Sequence, residues 1–184
     1  IRSQQDSKND LLNEKDFILF LGRISYWKGT DFLLEVAEEL YNKFKMKIIL
    51  AGALEDKDLL PKIEYLEKKG FIKYFGFITE GQKLELLKKA SIFVYPSRYD
   101  GFGMPPLEAI LMGKKVLMSD IPVLREITKG LGVYFQVDNR EDFFEKIEIL
   151  LRNQAPINIE LINHVKSLSW ENFTKQFIKS FIRQ

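Results

Sequence analysis

The chain has 184 residues, 46% of them hydrophobic, which is one domain's worth of sequence with a real core to bury. Its 28 basic and 26 acidic residues leave a net charge of +2, too balanced to point to nucleic acid. There is no cysteine, which excludes disulfides and thiolate metal sites and agrees with a cytoplasmic setting, and no apolar run approaches the ~20 residues that cross a bilayer.

No basic-then-apolar segment opens the sequence. Residues 1–16 are polar and charged, with Leu11 and Leu12 as an apolar pair, and read as a linker or lead-in. From there strand and helix patterns alternate. Phe17 to Leu21 is an apolar strand stopped by Gly22, and Asp31 to Phe44 has helical spacing through Phe32, Leu33, Val36, Ala37 and Leu40. Met46 to Ala51 is a strand before Gly52, and Leu59 to Lys69 is a helix closed by Gly70. Phe71 to Phe75 is a strand, Gln82 to Lys89 a helix, and Ser91 to Tyr95 a strand. Then follow helix Leu107 to Met112, strand Val116 to Met118, short helix Val123 to Ile127 and strand Val133 to Phe135. Glu141 to Leu151 is an amphipathic helix, and Pro156 to Gln184 is helical with a break near Ser169-Trp170.

Alternating apolar strands and helices predict a parallel sheet covered on both faces, with right-handed crossovers. The expected fold is α/β: a doubly wound, Rossmann-like domain of about six strands. Ligands of such sheets bind outside the carboxyl ends of the strands. Gly22 to Lys28, Gly52, Gly76 to Glu80 and Asp100 to Glu108 each follow a strand, so they are predicted to line one crevice.

The stretch Ser97 to Ala109, SRYDGFGMPPLEA, carries the most chemistry. Asp100 and Glu108 bracket a loop with Gly101 and Gly103, where a ligand can approach the backbone closely. A strand-to-helix junction offers backbone N–H groups and a positive dipole end to a phosphate. Glu108, placed in the first turns of the helix, can accept two hydrogen bonds from a vicinal diol such as a ribose. The plainer alternative is an ordinary turn in which Glu108 favours the helix dipole.

DGFGMPPLEA, followed by Gly113 and the strand KVLMS, resembles the signature of the retaining glycosyltransferase family 4, of GT-B architecture. The family pattern is E-G-F-G-L-P-x-L-E-A; the spacing is kept here, with Asp100 in place of the first Glu. Gly22-Arg23 with Lys28-Gly29 is similar to the family's diphosphate loop, and Gly76-Phe77-Ile78 to its base-binding turn. Ile121 to Glu126 and Ser169-Trp170 also fit, so the resemblance spans residues 17–184.

The resemblance implies a nucleotide-sugar-binding C-terminal domain, one half of a GT-B enzyme. Arg23 and Lys28 would offset charge on the leaving diphosphate, Arg as a planar fork and Lys as a point charge. Asp100 would hold the sugar hydroxyls, one methylene shorter than the family's Glu. These three are the catalytic candidates. Glu108 would bind the ribose, and Ile78 would meet the base through its backbone. Backbone N–H groups from Phe102 to Met104 would face phosphates and sugar, the two side chains being core or pocket wall. Glu80 suits the Watson–Crick edge of a guanine; alternatively it merely follows a Thr79–Gln82 capping box.

The implied reaction retains anomeric configuration, with no metal and no cofactor; the nucleotide sugar is the substrate. GDP-mannose is the favoured donor and a UDP-sugar the second. The implied acceptor is a glycan or lipid-linked sugar held by an N-terminal domain that this sequence does not contain. Alone the domain is expected to bind the donor and catalyse little. The implied enzyme is cytoplasmic, able to lie against the inner face of the membrane. A different class, a non-catalytic nucleotide-sugar-binding subunit of a split transferase, fits the same residues. A dehydrogenase does not, because no G-x-G-x-x-G follows the first strand.

Three further features are expected to be bland. Asp56-Lys57-Asp58 has an acid-x-acid pattern but sits in a charged stretch and reads as a solvated turn. His164, the one histidine, reads as a plain helix residue. The aromatics, 15 Phe among them, fall at strand and helix spacings and are predicted to be core.

Overall fold

The computed structural model describes residues 16–152 and 158–168. Strand β1 (Phe17–Leu21) is buried at every position, as a run with no polar alternation must be when both faces of its sheet are covered. It pairs in parallel with β2 (Lys47–Ala51), Phe17 opposite Lys47 through to Leu21 opposite Ala51. On its other side lies β4 (Ile92–Tyr95), Ile18 opposite Ile92. With β3 (Ile72–Tyr74), β5 (Lys115–Ser119) and β6 (Val133–Phe135) the six-stranded parallel sheet runs β3-β2-β1-β4-β5-β6. The doubly wound fold expected from the alternation is present.

The connecting helices are α1 (Thr30–Phe44), α2 (Leu60–Lys68), α3 (Glu80–Lys89), α4 (Met104–Leu111), α5 (Pro122–Ile127), α6 (Arg140–Arg152) and α7 (Ile159–Ser167). Short 3-10 turns lie at Tyr26–Lys28 and Lys57–Leu59. Strand order reverses after β3, so right-handed crossovers put α1 and α2 on one face and α3, α4 and α5 on the other. Helix α6 returns beside α1, where Phe32 meets Phe143 at 5.3 Å and Phe135 at 5.6 Å between ring centroids. That aromatic cluster closes one half of the core.

Element ends depart from the periodicity for local reasons. Phe71 donates its N–H back to Leu66 O at the end of α2, and Gly76 turns the chain at φ +65°, so β3 is shorter than the apolar run. Helix α3 starts at Glu80, not Gln82, because Thr79 and Gln82 do form a capping box: Thr79 Oγ1 accepts from Gln82 N, and Gln82 Oε1 from Thr79 N. Helix α4 starts at Met104, earlier than the apolar spacing, since Pro105 suits a first turn that needs no N–H donor there. Residues 1–15, Pro156 and Ser169-Trp170 to Gln184 lie outside the described residues.

Candidate functional site

The sheet's switch point is the gap between the carboxyl ends of β1 and β4, where crossovers leave in opposite directions. A cavity of about 450 Å³ opens there. After β1 it is lined by Arg23, Ser25, Trp27 and Lys28, after β2 by Glu55, and after β4 by Tyr99, Asp100 and Gly101. Three of the expected site side chains, Arg23, Lys28 and Asp100, are thus brought together.

The loops that carry them are laced to one another. Gly22 N–H donates to Ala51 O at 3.0 Å, Ile24 N–H to Ala53 O at 2.8 Å, and Gly52 N–H to Gly76 O at 2.8 Å. Gly52 has φ +148°, and a Cβ there would fall 1.7 Å from Gly22 O; only glycine lets the two loops touch. Gly29 closes the 3-10 turn at φ +68° in the same way, a Cβ falling 2.1 Å from Pro96 O.

Asp100, on the cavity lining, is the hub of its hydrogen bonding. Its Oδ2 accepts from Lys28 Nζ at 2.6 Å and from the Tyr95 hydroxyl. Its Oδ1 accepts from the N–H groups of Phe102 at 3.2 Å and Gly103 at 3.0 Å. Burial pushes the Asp100 pKa up. The hydrogen bonds from Lys28 and Tyr95, the Lys28 charge and the Phe102 N–H outweigh this and hold it below the ordinary carboxylate value. Burial and the same acid push the Tyr95 hydroxyl far up. Tyr95 was not singled out by sequence; it is the last residue of β4, and Lys28 Nζ lies 5.7 Å above its ring.

This geometry narrows one expectation. Of the N–H groups from Phe102 to Met104, expected to face a ligand, those of Phe102 and Gly103 donate to Asp100, and Pro105 and Pro106 beyond them have no N–H at all. The loop is therefore an Asx-type turn organised by its own acid. Phe102 and Met104, left open between core and pocket wall, are 47% and 54% exposed and are not core. Nor is the aromatic set as a whole: Trp27, Tyr99 and Phe77 are 67%, 69% and 86% exposed. Trp27 sits in the 3-10 turn after β1, and Phe77 and Tyr99 on the loops after β3 and β4.

Arg23 is exposed and pairs with Glu55 at 3.2 Å, a partner that sequence did not suggest. Glu55, Asp56 and Asp58 follow β2. The Asp56-Lys57-Asp58 stretch is the exposed turn that was expected, and its acids also have partners: Asp56 Oδ2 accepts from Tyr26 N at 2.7 Å and Asp58 Oδ2 from the Tyr26 hydroxyl at 2.6 Å. The two acids brace the 3-10 turn that precedes Lys28. Among the described residues no His, Asp and Glu cluster could hold a metal ion.

Glu80, Ile78 and Glu108 are not lining residues of the cavity. Glu108 falls in the second turn of α4, so the first-turn dipole argument does not apply to it. Lys83 of α3 joins the two acids, at 3.0 Å from Glu108 and 2.8 Å from Glu80. Burial acts to lower the Lys83 pKa, and the two carboxylates reverse the shift and raise it. Lys83 was missed by sequence because the pairing with Glu108 spans two helices. His164 behaves as expected of a helix residue, its Nε2 2.9 Å from Ile127 O. Among the described residues no helix is long and apolar enough to cross a membrane.

With the geometry in place, comparison with known proteins decides the family. The model of the glycosyl transferases group 1 matches residues 2–167. The chain belongs to that family. It is 29% identical over 172 residues to the O-antigen chain mannosyltransferase B of Escherichia coli, covering 90% of this chain and 45% of that protein. The chain spans less than half the length of such curated relatives. Among solved structures, the C-terminal domain of a group 1 glycosyl transferase (LpcC) from Francisella tularensis superposes with TM-score 0.70 at 20% identity, over 91% of this chain and 93% of that one. Anabaena Alr3699/HepE, in complex with UDP and glucose, superposes with TM-score 0.74 at 18% identity, over the whole of this chain and 53% of that one. The fold is therefore that of one half of a GT-B glycosyltransferase.

Proposed function

We propose that this domain binds the nucleoside-diphosphate sugar donor of a retaining glycosyltransferase. The observation that carries the reading is the cavity at the β1/β4 switch point with Arg23, Lys28 and Asp100 on its walls. Departure of the sugar leaves negative charge on the diphosphate, and fixed cations aimed at it stabilise the transition state. Because the N–H groups of Phe102 and Gly103 serve Asp100, the side chains of Arg23 and Lys28 carry most of this task. Asp100 takes the sugar hydroxyls, exchanging part of its internal hydrogen bonding for them. Glu108 takes the ribose, Ile78 and Phe77 the base, and Glu80 the Watson–Crick edge of a guanine, beside Lys83. GDP-mannose is the favoured donor, supported by the mannosyltransferase relative, with a UDP-sugar second. The acceptor, a glycan or lipid-linked sugar, would enter from an N-terminal domain. Transfer would need no metal, the leaving diphosphate itself assisting the incoming hydroxyl.

Calorimetry with GDP, UDP and ADP tests the reading. Binding of a nucleoside diphosphate is expected, GDP most tightly; absence of heat with all of them at millimolar concentration would sink it.

A further inference from the structure

We propose that Arg98 is a positioning residue that sets Lys28 in place for the diphosphate, without touching the ligand itself. The proposal rests on the nucleotide-sugar reading for its ligand, and on the geometry alone for the clamp.

Arg98 lies in the loop between β4 and α4, two residues from Asp100, where an arginine would ordinarily be taken for a phosphate ligand. Its hydrogen bonds exclude that role. Nε donates to Asp138 Oδ2 at 2.8 Å and Nη2 to Asp138 Oδ1 at 2.7 Å. Nη1 donates to Asp31 Oδ1 at 2.7 Å and Nη2 to Asp31 Oδ2 at 2.9 Å. Nη1 also donates to the Tyr26 carbonyl. A guanidinium has five N–H donors, and every one is used. No donor remains for a ligand.

The acceptors come from three other segments: the 3-10 turn after β1, the start of α1, and the loop between β6 and α6. Asp138 sits in the left-handed region at φ +57°, a conformation that a non-glycine residue holds when its surroundings over-determine it. The Arg98 main chain adds to the grip, its N–H donating to Trp27 O at 2.9 Å. Carbonyls of Tyr26 and Trp27, the two residues before Lys28, are thus both fixed from residue 98. From the far side Asp56 and Asp58 fix Tyr26. Lys28 leaves this braced turn with its Nζ at Asp100. A lysine has a flexible stem and a point charge; its useful position must come from where its backbone is held.

The test compares wild type, Arg98→Met and Arg98→Lys by calorimetry with GDP and guanosine, and by amide hydrogen exchange without ligand. Gly29 N–H and Thr30 N–H, bonded inside the turn to Tyr26 O and Ser25 O, report the clamp; Leu19 in buried β1 is the control. In Arg98→Met, GDP should weaken roughly tenfold and guanosine less than twofold. Exchange should quicken at Gly29 and Thr30 and not at Leu19. Arg98→Lys, which keeps the charge and loses the fork, should stay near the Met variant. Unchanged exchange at Gly29 and Thr30, equal losses for GDP and guanosine, or full rescue by Lys would each overturn the proposal. If wild type itself binds no nucleotide, the proposed function falls, and the exchange data still decide the clamp.

Discussion

Nζ of Lys28 stands 2.6 Å from Oδ2 of Asp100, with 15% and 10% of the two side chains exposed. The cation proposed for the diphosphate and the acid proposed for the sugar are each other's partner. Losing either leaves the other charge largely buried and unmatched, which is more costly than losing both.

The first prediction follows from that pair. Lys28→Met and Asp100→Asn should each lower stability by about 1–3 kcal/mol, read as roughly 2–4 °C of Tm per kcal/mol. The double variant should lose less than the two losses added, with a coupling of about 1 kcal/mol or more. Strict additivity would mean that the ion pair contributes nothing. Asp100→Asn should also weaken a nucleoside diphosphate, through Lys28, besides removing the extra affinity given by the sugar.

A second prediction concerns acid. The folded-state pKa of Asp100 lies below its ordinary value. Its stabilisation is therefore fully present above the unfolded pKa of about 3.9 and fades as pH falls through the lower folded value. The Tm gap between wild type and Asp100→Asn, open at neutral pH, should narrow below about pH 4. A gap that stays constant down to pH 2 would assign the difference to shape rather than charge.

Glu108 gives a cleaner binding test than its position in sequence suggests. It lies beyond the first turn of α4, and its pair with Lys83 leaves 35% of its side chain exposed. Such a pair contributes about 0–1 kcal/mol. Glu108→Gln should hold Tm within about 3 °C while weakening GDP and GDP-mannose alike. Loss of GDP-mannose alone, with GDP unaffected, would move Glu108 from ribose to sugar.

Glycines in the site should split into two kinds. Gly52→Ala and Gly29→Ala put a Cβ 1.7 Å from Gly22 O and 2.1 Å from Pro96 O, at positive φ. Each should cost about 3 kcal/mol or more, visible as a lowered urea midpoint. Gly101→Ala meets nothing within 4 Å, so stability should change by less than about 1 kcal/mol. Any loss of nucleotide-sugar binding in Gly101→Ala then reports on the cavity itself.

Local signals in this chain were legible because they act over a few residues. The unbroken apolar run Phe17 to Leu21, short and stopped by Gly22, reads as a doubly covered strand and is one, and the Thr79–Gln82 box forms as its spacing demands. The alternation of such segments, with Arg23, Lys28 and Asp100 in the loops after strands and Glu108 just beyond, determined the fold class and the edge on which to look. Strand order was beyond that reach. Nothing local says that β4 returns beside β1, yet this return makes the switch point and brings Lys28 to Asp100 across 72 positions. The same holds for the acids that looked idle: Asp56 and Asp58 became braces for Tyr26, and Asp31 and Asp138 the two jaws on Arg98. Charge is written in the sequence, but its partner is set by register and crossover hand, which exist only once the sheet is built.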